Sequence, residues 1–481
     1  MRFQVVIRYI GLVLLIFAAF MLLSAGIAWW SGPDSSYFPL LLSALLTALL
    51  GLFPTIFVER SEQISSKEGY CIVVGSWLVA CLVGMFPYLM WGGEFTLINA
   101  WFESVSGLTT TGSSILTDIE ALPRGLLFWR ISSAWVGGIG VVMFALLILP
   151  SMGRSKKVLS NVELSAVSHD DYHYRTQRIV QILLFVYVGL TATSTLLLKV
   201  AGMNWFDALT HAMSASATCG FGTKNLSIAY FNSPLIEAVL IGTMVIGGIH
   251  FGLIYATLIG SQANIWRSEV TRTYFAFLGC GALLIALSLW FTGIYPGFFS
   301  SLRHALFQFV ALTTTSGFAT ANTNLWPSFA IILLIFGSIV CACAGSTSGG
   351  LKMNRLILAF KMLVARLKRQ QHPNAIIRVR MDGVLQEDEV VHTAMIFIVT
   401  YFMLMLLGTL INTLFGDDLL TGFSSAVACL GNVGPGFGEV GSMSNFAAQP
   451  AVLKFSGTLL MLFGRLEIFG LVQLFFIKWW R

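Results

Sequence analysis

The feature that most constrains this chain is a short glycine-centred phrase that occurs four times. It reads Thr110-Thr111-Gly112-Ser113-Ser114, then Thr218-Cys219-Gly220-Phe221-Gly222, Thr315-Ser316-Gly317-Phe318-Ala319 and Asn432-Val433-Gly434-Pro435-Gly436. The central glycines are separated by 108, 97 and 117 residues. Each phrase follows an amphiphilic stretch and precedes a long apolar one, which is the signature of an internal structural repeat. A fold for this sequence must therefore put four equivalent loops in equivalent places.

Composition says where. Of the 481 residues 56% are hydrophobic and only 10% charged, against about 25% charged in soluble domains. The expected class is an all-α polytopic membrane protein. The net charge of +6 is explained by membrane topology, so no nucleic-acid partner is expected. The seven cysteines (Cys71, Cys81, Cys219, Cys280, Cys341, Cys343, Cys429) lie mostly in apolar stretches without metal-ligand spacing and read as small core residues. The first apolar run continues beyond the length of a signal h-region, so no cleavable signal is expected.

In chain order, spans at 5–30 and 38–58 are joined by the turn Ser31-Gly32-Pro33-Asp34 and make an N-terminal piece, 1–69. Four units follow, each a span, a short pore helix, the phrase and a second span. Unit 1 covers 70–150, with its pore helix at 97–109 and second span at 131–149. Residues 151–273 hold a basic loop (Arg154, Lys156, Lys157, Arg175, Arg178) and unit 2, with spans at 179–201 and 235–260 around a pore helix at 204–217. Residues 274–390 hold unit 3, with spans at 274–293 and 327–360, a pore helix at 301–314, and a basic run from Lys361 to Arg380. Unit 4, 391–481, has spans at 391–414 and 450–478.

Two spans per unit put all four phrases on one side of the membrane. Of 28 Lys and Arg, six (Arg124, Arg130, Lys199, Lys224, Arg303, Lys454) fall on that side, Arg465 falls within a span, and the other 21 fall opposite. Acidic residues divide 10 to 11, with Glu467 in a span. The Lys and Arg excess marks the cytoplasmic face, so the phrases open outward and both termini are expected inside.

The phrases also have a chemistry. Stripping the water shell from a monovalent cation takes stacked rings of oxygens, which extended backbone supplies when successive carbonyls point the same way. That requires alternating left- and right-handed conformations, which glycine tolerates. The four phrases echo the TVGYG loop of potassium-channel filters, with all four quarters of the ring on one chain.

With those motifs, the chain resembles the Trk/Ktr/HKT superfamily of potassium-uptake proteins over its whole length, and the extra pair of spans at 1–58 resembles the TrkH branch. The resemblance implies a potassium-binding filter with Gly112, Gly220, Gly317 and Gly434 at its centre. Thr110, Thr218, Thr315 and Asn432 stand at its inner end, with Thr111, Cys219, Ser316 and Val433 between. It also implies a homodimer with one pore per protomer in a bacterial inner membrane, and a TrkA-like cytoplasmic regulatory ring. The sequence contains no Walker motif, so a nucleotide (ATP/ADP or NAD) is expected on that partner only. Phrase 1 ends Ser113-Ser114 instead of aromatic-glycine and phrase 4 has Pro435 in the aromatic position. Both departures predict a less rigid outer filter, fewer ordered ion sites and looser discrimination against sodium and rubidium.

Two features within spans read as gate elements. Cys341-Ala342-Cys343-Ala344 and Gly345, Ser346, Thr347, Ser348, Gly349 and Gly350 interrupt an apolar run with residues that weaken helices, either as a loop obstructing the pore or as a packing face. The family's gating loop lies in this repeat, which favours the first reading. Lys352 and Arg355 follow it as candidate transmitters of a cytoplasmic pull. Arg465 lies about 15 residues into the last span, roughly 20 Å deep, where a charge is functional or paired. Its functional reading places the guanidinium below the filter, bonded to the gate loop; the alternative is an interhelical salt bridge. Glu467, two residues on, points elsewhere on a helix. Outside, Glu103, Asp118, Glu120, Asp207, Asp417, Asp418 and Glu439 are candidates to enrich cations at the mouth, with Asp207 and Asp417 also read as pore-helix caps.

Gly137-Gly138-Ile139-Gly140 and Gly247-Gly248-Ile249 read as close helix packing, and His169-Asp170-Asp171-Tyr172-His173 as solvated loop. An intramembrane enzyme would need a buried catalytic constellation, whereas His211, His250 and His304 are scattered over the units. The expected function is uptake of potassium down the membrane potential through a regulated pore, the alternative being a symporter coupled to protons or sodium.

Overall fold

The computed structural model describes residues 2–140, 176–372 and 377–472, apart from residues 33, 62, 63, 261–263 and 469. Residues 141–150, Arg154, Lys156, Lys157, Arg175, the His169–His173 stretch and the last nine residues lie outside the described residues.

Helices α1 (Phe3–Trp30) and α2 (Tyr37–Phe57) form the N-terminal pair. At 28 residues α1 is about 42 Å long, ample for a hydrocarbon core of about 30 Å. The pair packs closely where both helices lack a side chain. A Cβ on Gly11 would stand 2.7 Å from the Gly51 carbonyl, and one on Gly51 2.7 Å from that of Gly11. Leu42, Leu45, Leu49 and Phe53 of α2 face outward, as a lipid-facing stripe does.

Helix α3 (Ser66–Gly84) opens with a capping box in which the Ser65 hydroxyl and the Glu68 carboxylate exchange bonds with each other's backbone. After the short α4 (Phe86–Trp91) comes α5 (Leu97–Leu108), the first of the four helices expected to be pore helices and so labelled, then α6 (Arg124–Ile139). The second unit has α7 (Thr176–Val200), pore helix α8 (Trp205–Ser216), α9 (Pro234–Gly247) and α10 (Phe251–Leu258). The third has α11 (Glu269–Phe291), pore helix α12 (Phe298–Thr313), α13 (Ser328–Val340) and α14 (Met353–Gln371). The fourth has α15 (Asp388–Leu414), pore helix α16 (Leu419–Gly431) and α17 (Ala451–Arg465).

Among the described residues six helices are long and apolar enough to cross a membrane, or seven if α9 and α10 count as one span. The shortfall from ten lies in the second spans: residues 141–149 and 473–478 of units 1 and 4 lie outside the described residues, the unit 3 span is interrupted where residues 341–350 indicated, and the unit 2 span, expected to be continuous, is bent. Helix α6 ends at Gly140, with φ of 84°, and α9 and α10 are bent by 103° around His250. Helices α13 and α14 are separated by residues 341–352, and α17 stops at a left-handed turn of Glu467 and Ile468. Glycine clusters mark the first three breaks, where a hydropathy window runs on unaware.

Between α14 and α15 a two-stranded hairpin, β1 (Arg380–Met381) and β2 (Val384–Leu385), turns through Asp382 and Gly383, both at positive φ. This is the Asp-Gly pattern of a tight hairpin turn. The Asp382 carboxylate accepts bonds from the Ser268 hydroxyl and the Glu269 N–H, and so caps α11. Lys361 of α14 joins the Arg380 carbonyl (2.7 Å) to the Glu269 carboxylate (2.6 Å).

Candidate ion filter and the segment beneath it

Each pore helix ends the same way. The residue after the last turn is left-handed: Thr110, Thr218, Thr315 and Asn432 have φ of 54°, 53°, 59° and 53°. The next residue donates its N–H to the carbonyl five places back, Thr111 to Ser106 (2.8 Å), Cys219 to Ser214 (3.0 Å), Ser316 to Ala311 (2.8 Å) and Val433 to Ala428 (2.9 Å). This is a Schellman termination, whose usual left-handed residue is glycine. A β-branched threonine there costs on the order of 1–3 kcal/mol. Left-handed backbone is expected at glycine, whereas all four of these positions carry Thr or Asn.

The central glycines return to positive φ, 82° at Gly112, 88° at Gly220, 68° at Gly317 and 103° at Gly434, so the handedness alternates in all four loops. They also meet one another's neighbours in a closed cycle. A Cβ on Gly112 would lie 1.8 Å from the Cys219 carbonyl oxygen, and one on Gly220 2.0 Å from that of Ser316. A Cβ on Gly317 would lie 2.3 Å from the Val433 oxygen, and one on Gly434 2.7 Å from that of Thr111. Loop 1 thus abuts loop 2, loop 2 abuts loop 3, loop 3 abuts loop 4, and loop 4 abuts loop 1. The residues singled out in the four phrases come together in one ring of backbone oxygens.

Around this ring the second helices approach on glycine. A Cβ on Gly137 would fall 1.9 Å from the Leu108 carbonyl and one on Gly464 2.0 Å from that of Leu430, while Gly248 abuts Ala342 and the Tyr274 hydroxyl. The glycine runs 137–140 and 247–249 are packing surfaces, as expected. Asn432 ties two repeats together, its amide donating to the Thr111 hydroxyl (3.0 Å) and the Met461 carbonyl (2.9 Å).

Beneath the left-handed residues runs the irregular segment 341–352. The Gly349 N–H donates to the Thr315 hydroxyl (3.2 Å), and a Cβ on Gly349 would be 2.7 Å from the Asn432 side-chain oxygen. The Thr347 hydroxyl donates to the carbonyls of Ser216 (3.1 Å) and Gly247 (3.2 Å). Gly345, at φ 73°, accepts from the Phe251 N–H (3.1 Å) and sits against the His250 ring. Ser346 bonds the Cys343 carbonyl (2.6 Å) and meets the Ser348 hydroxyl at 2.9 Å, while Gly350, at φ 72°, packs on the Cys341 sulfur.

Arg465 completes this layer. Its guanidinium donates to the Thr347 carbonyl (2.7 Å) and to the carbonyls of Gly137 (2.7 Å) and Gly138 (3.1 Å). The segment and Arg465 therefore touch all four repeats directly under the ring. Glu467 is turned to other cations, Arg355 at 2.5 Å and Lys352 at 3.5 Å.

Several acidic residues stand elsewhere than the sequence suggested. Glu103 is not a mouth carboxylate: it is fully buried and paired with buried Arg130 at 2.5 Å. The side chains that cap these helices are Thr96, Asn204 and Asp418, which accept the N–H groups of Asn99, Asp207 and Thr421, in place of Asp207 and Asp417. The Asp207 carboxylate instead bonds Asn204 (2.7 Å) and the Thr223 hydroxyl (2.7 Å). In the loop that follows the first phrase, Asp118 is held below the usual carboxylate range by the Asn225 amide. Five cysteines are buried, but Cys280 is exposed and Cys71 half-buried. Sequence reasoning missed the position nine residues before each central glycine, held by Glu103, His211, Gln308 and Ser425. Aligning the phrases and reading backward would have found it. No group of His, Cys, Asp and Glu that could hold a metal occurs among the described residues.

A helical, multi-span chain whose pore-helix ends converge on one ring of carbonyls belongs to the class of membrane transport proteins. Residues 42–296 and 298–479 match the family model TrkH, described as cation transport protein. The chain belongs to the TrkH family. It is 34% identical to the Trk system potassium uptake protein TrkH of Salmonella typhimurium, over 100% of both chains. It is 30% identical to TrkG of Escherichia coli K12, over 87% of this chain and 86% of the other. The crystal structure of the potassium transporter TrkH from Vibrio parahaemolyticus superposes with a TM-score of 0.89, at 30% identity and 100% coverage of both chains. These relatives are named as transporters and are not enzymes.

Proposed function

We propose that this chain takes up potassium through a channel-like filter formed by residues 110–112, 218–220, 315–317 and 432–434. The observation that carries the reading is the cyclic contact of each central glycine with the next repeat's carbonyl, 1.8 to 2.7 Å from the place of a missing Cβ. Backbone oxygens so arranged replace the hydration shell of a monovalent cation, and potassium is the ion in the relatives' names. The pore-helix carbonyl ends add negative potential at the same place. Segment 345–350 with Arg465 is the gate: it fills the space beneath the ring and puts a guanidinium in the ion path.

The orientation that follows from the Lys and Arg distribution has the filter outside and both termini in the cytoplasm of a bacterial inner membrane. The membrane potential then favours entry by about 2.3 kcal/mol per charge per 100 mV. A homodimer and a TrkA-like cytoplasmic ring carrying the nucleotide sites complete the assembly by family analogy. Against coupling to protons stands Glu467, the one carboxylate expected at membrane depth, which already has two cationic partners. The test is potassium flux into liposomes containing only this purified chain, at a set potential with no proton or sodium gradient. Flux that follows the potential is expected; flux only on adding a second gradient would make the chain a symporter.

A further inference from the structure

The buried ion pair Glu103–Arg130 lies directly behind the ring and joins two repeats. Glu103 of pore helix α5 accepts from the Ser114 hydroxyl (3.0 and 3.2 Å) and the Ile115 N–H (3.1 Å), the outer end of loop 1. Its partner Arg130 of α6 reaches the outer end of loop 2. There it donates to the Gly222 carbonyl (3.3 Å) and lays its guanidinium carbon 3.5 Å from the centre of the Phe221 ring. Both side chains are about 1% exposed or less.

At the same register repeat 3 carries Gln308, whose amide donates to the Ala321 carbonyl (3.0 Å) just past its own phrase. Repeat 2 carries His211, with a Cβ on Gly222 3.2 Å from its Nε2. In each of these repeats a side chain at this position backs the outer end of the loop. Only repeat 1 uses a charge, and repeat 1 is one whose phrase lacks an aromatic-glycine ending. Its Ser113 hydroxyl also donates to the Gly434 carbonyl (2.8 Å), which fastens it to loop 4. Loop 1 is thus held on both flanks by polar side chains where loops 2 and 3 rely on Phe221 and Phe318.

We infer that Glu103 and Arg130 are positioning residues that set the width of the filter at the seam of repeats 1 and 2, and with it the preference for potassium over sodium. The inference rests on the filter reading above. A ring that prefers the larger cation must resist contracting around the smaller one, and the seam without an aromatic prop on its first side is where contraction is easiest. A charged, doubly anchored pair resists it in both directions: the carboxylate holds loop 1, the guanidinium holds loop 2, and the bond between them fixes their separation.

The experiment measures thermal stabilisation of the purified full chain by KCl and by NaCl, which needs no open gate. The readout is the ratio of half-saturating sodium to potassium concentrations. In Glu103→Gln/Arg130→Met, which leaves no lone buried charge, that ratio should fall about threefold or more, as expected when a contact network is uncoupled. Ser114→Ala, which removes one anchor and keeps the ion pair, should lower it by less. Glu237→Gln/Arg303→Met removes another ion pair, at 2.7 Å between α9 and α12, and should lower the melting temperature without moving the ratio. A wild-type ratio in the folded double variant overturns the inference, and where that variant does not fold a wild-type ratio in Ser114→Ala overturns it. So does an equal fall in the Glu237/Arg303 control. A wild-type chain that shows no preference for potassium would count against the filter itself.

Discussion

The ring and the layer beneath it are built on opposite plans. In the ring all four repeats do one thing: helix end, left-handed residue, a residue of negative φ, then glycine at positive φ, with φ values at the left-handed residues between 53° and 59°. One layer down no two repeats agree. Repeat 1 offers the Gly137 and Gly138 carbonyls, repeat 2 a 103° bend, repeat 3 the irregular segment 341–352, and repeat 4 an arginine. On the proposed filter reading, coordination of a small sphere needs equal ligands on all sides, so the ring tolerates little divergence, whereas an obstruction needs only one object in the path.

The comparison breaks first at the glycines. Gly112→Ala forces a methyl onto the Cys219 oxygen at left-handed φ and should abolish potassium flux, by about 100-fold or more if the strain is several kcal/mol. Gly434→Ala, with 2.7 Å in place of 1.8 Å, should keep the most residual flux of the four. Equal residual flux in both, in proteins that elute as folded, would mean that the ring does not close as described. Next in size, deletion of residues 345–350 should raise liposome flux roughly tenfold while leaving ion preference alone, the loss of an obstruction worth about 1.4 kcal/mol.

Arg465→Ala removes three charge-assisted bonds to carbonyls and should raise flux several-fold, at about 1.5–3 kcal/mol for such bonds. Arg465→Lys should fall between the two, because an ammonium cannot span Thr347 and Gly137 in one plane. Unchanged flux in both the deletion and Arg465→Ala would remove the gate assignment. The smallest effect sharpens the boundary between the two layers. Thr315→Ala deletes the acceptor for the Gly349 N–H, about 1 kcal/mol. It should raise flux a few-fold, and Thr315→Ser, which keeps the hydroxyl, should restore it.

What could be read in the sequence follows the same division. The ring was legible because its geometry demands one residue type at one place, four times over. Arg465 was legible because a charge inside an apolar run is conspicuous. The break at 341–352 was legible in its run of small residues, but the bend at His250 and the turn at Glu467 were not, since Gly248, His250 and Glu467 sit in windows whose average hydropathy still reads as a span. Glu103 was misplaced because its partner Arg130 is 27 residues away on another helix, and no local pattern announces a long-range ion pair. Asp207 and Asp417 missed the cap positions by three residues and by one. The Asp382-Gly383 pair is a local hairpin signal, set at the end of a basic run.

On the proposed filter reading, closure of the ring within one chain also changes how such a pore can vary. In an assembly of four identical subunits a single codon change alters every side of the pore together. Here it alters one quarter, and the other three hold the original ligands. A lone arginine or a lone irregular segment can therefore arise, be tried and be refined at one side of the path without a simultaneous change at the others. The asymmetry under the ring is a freedom that a homotetramer lacks.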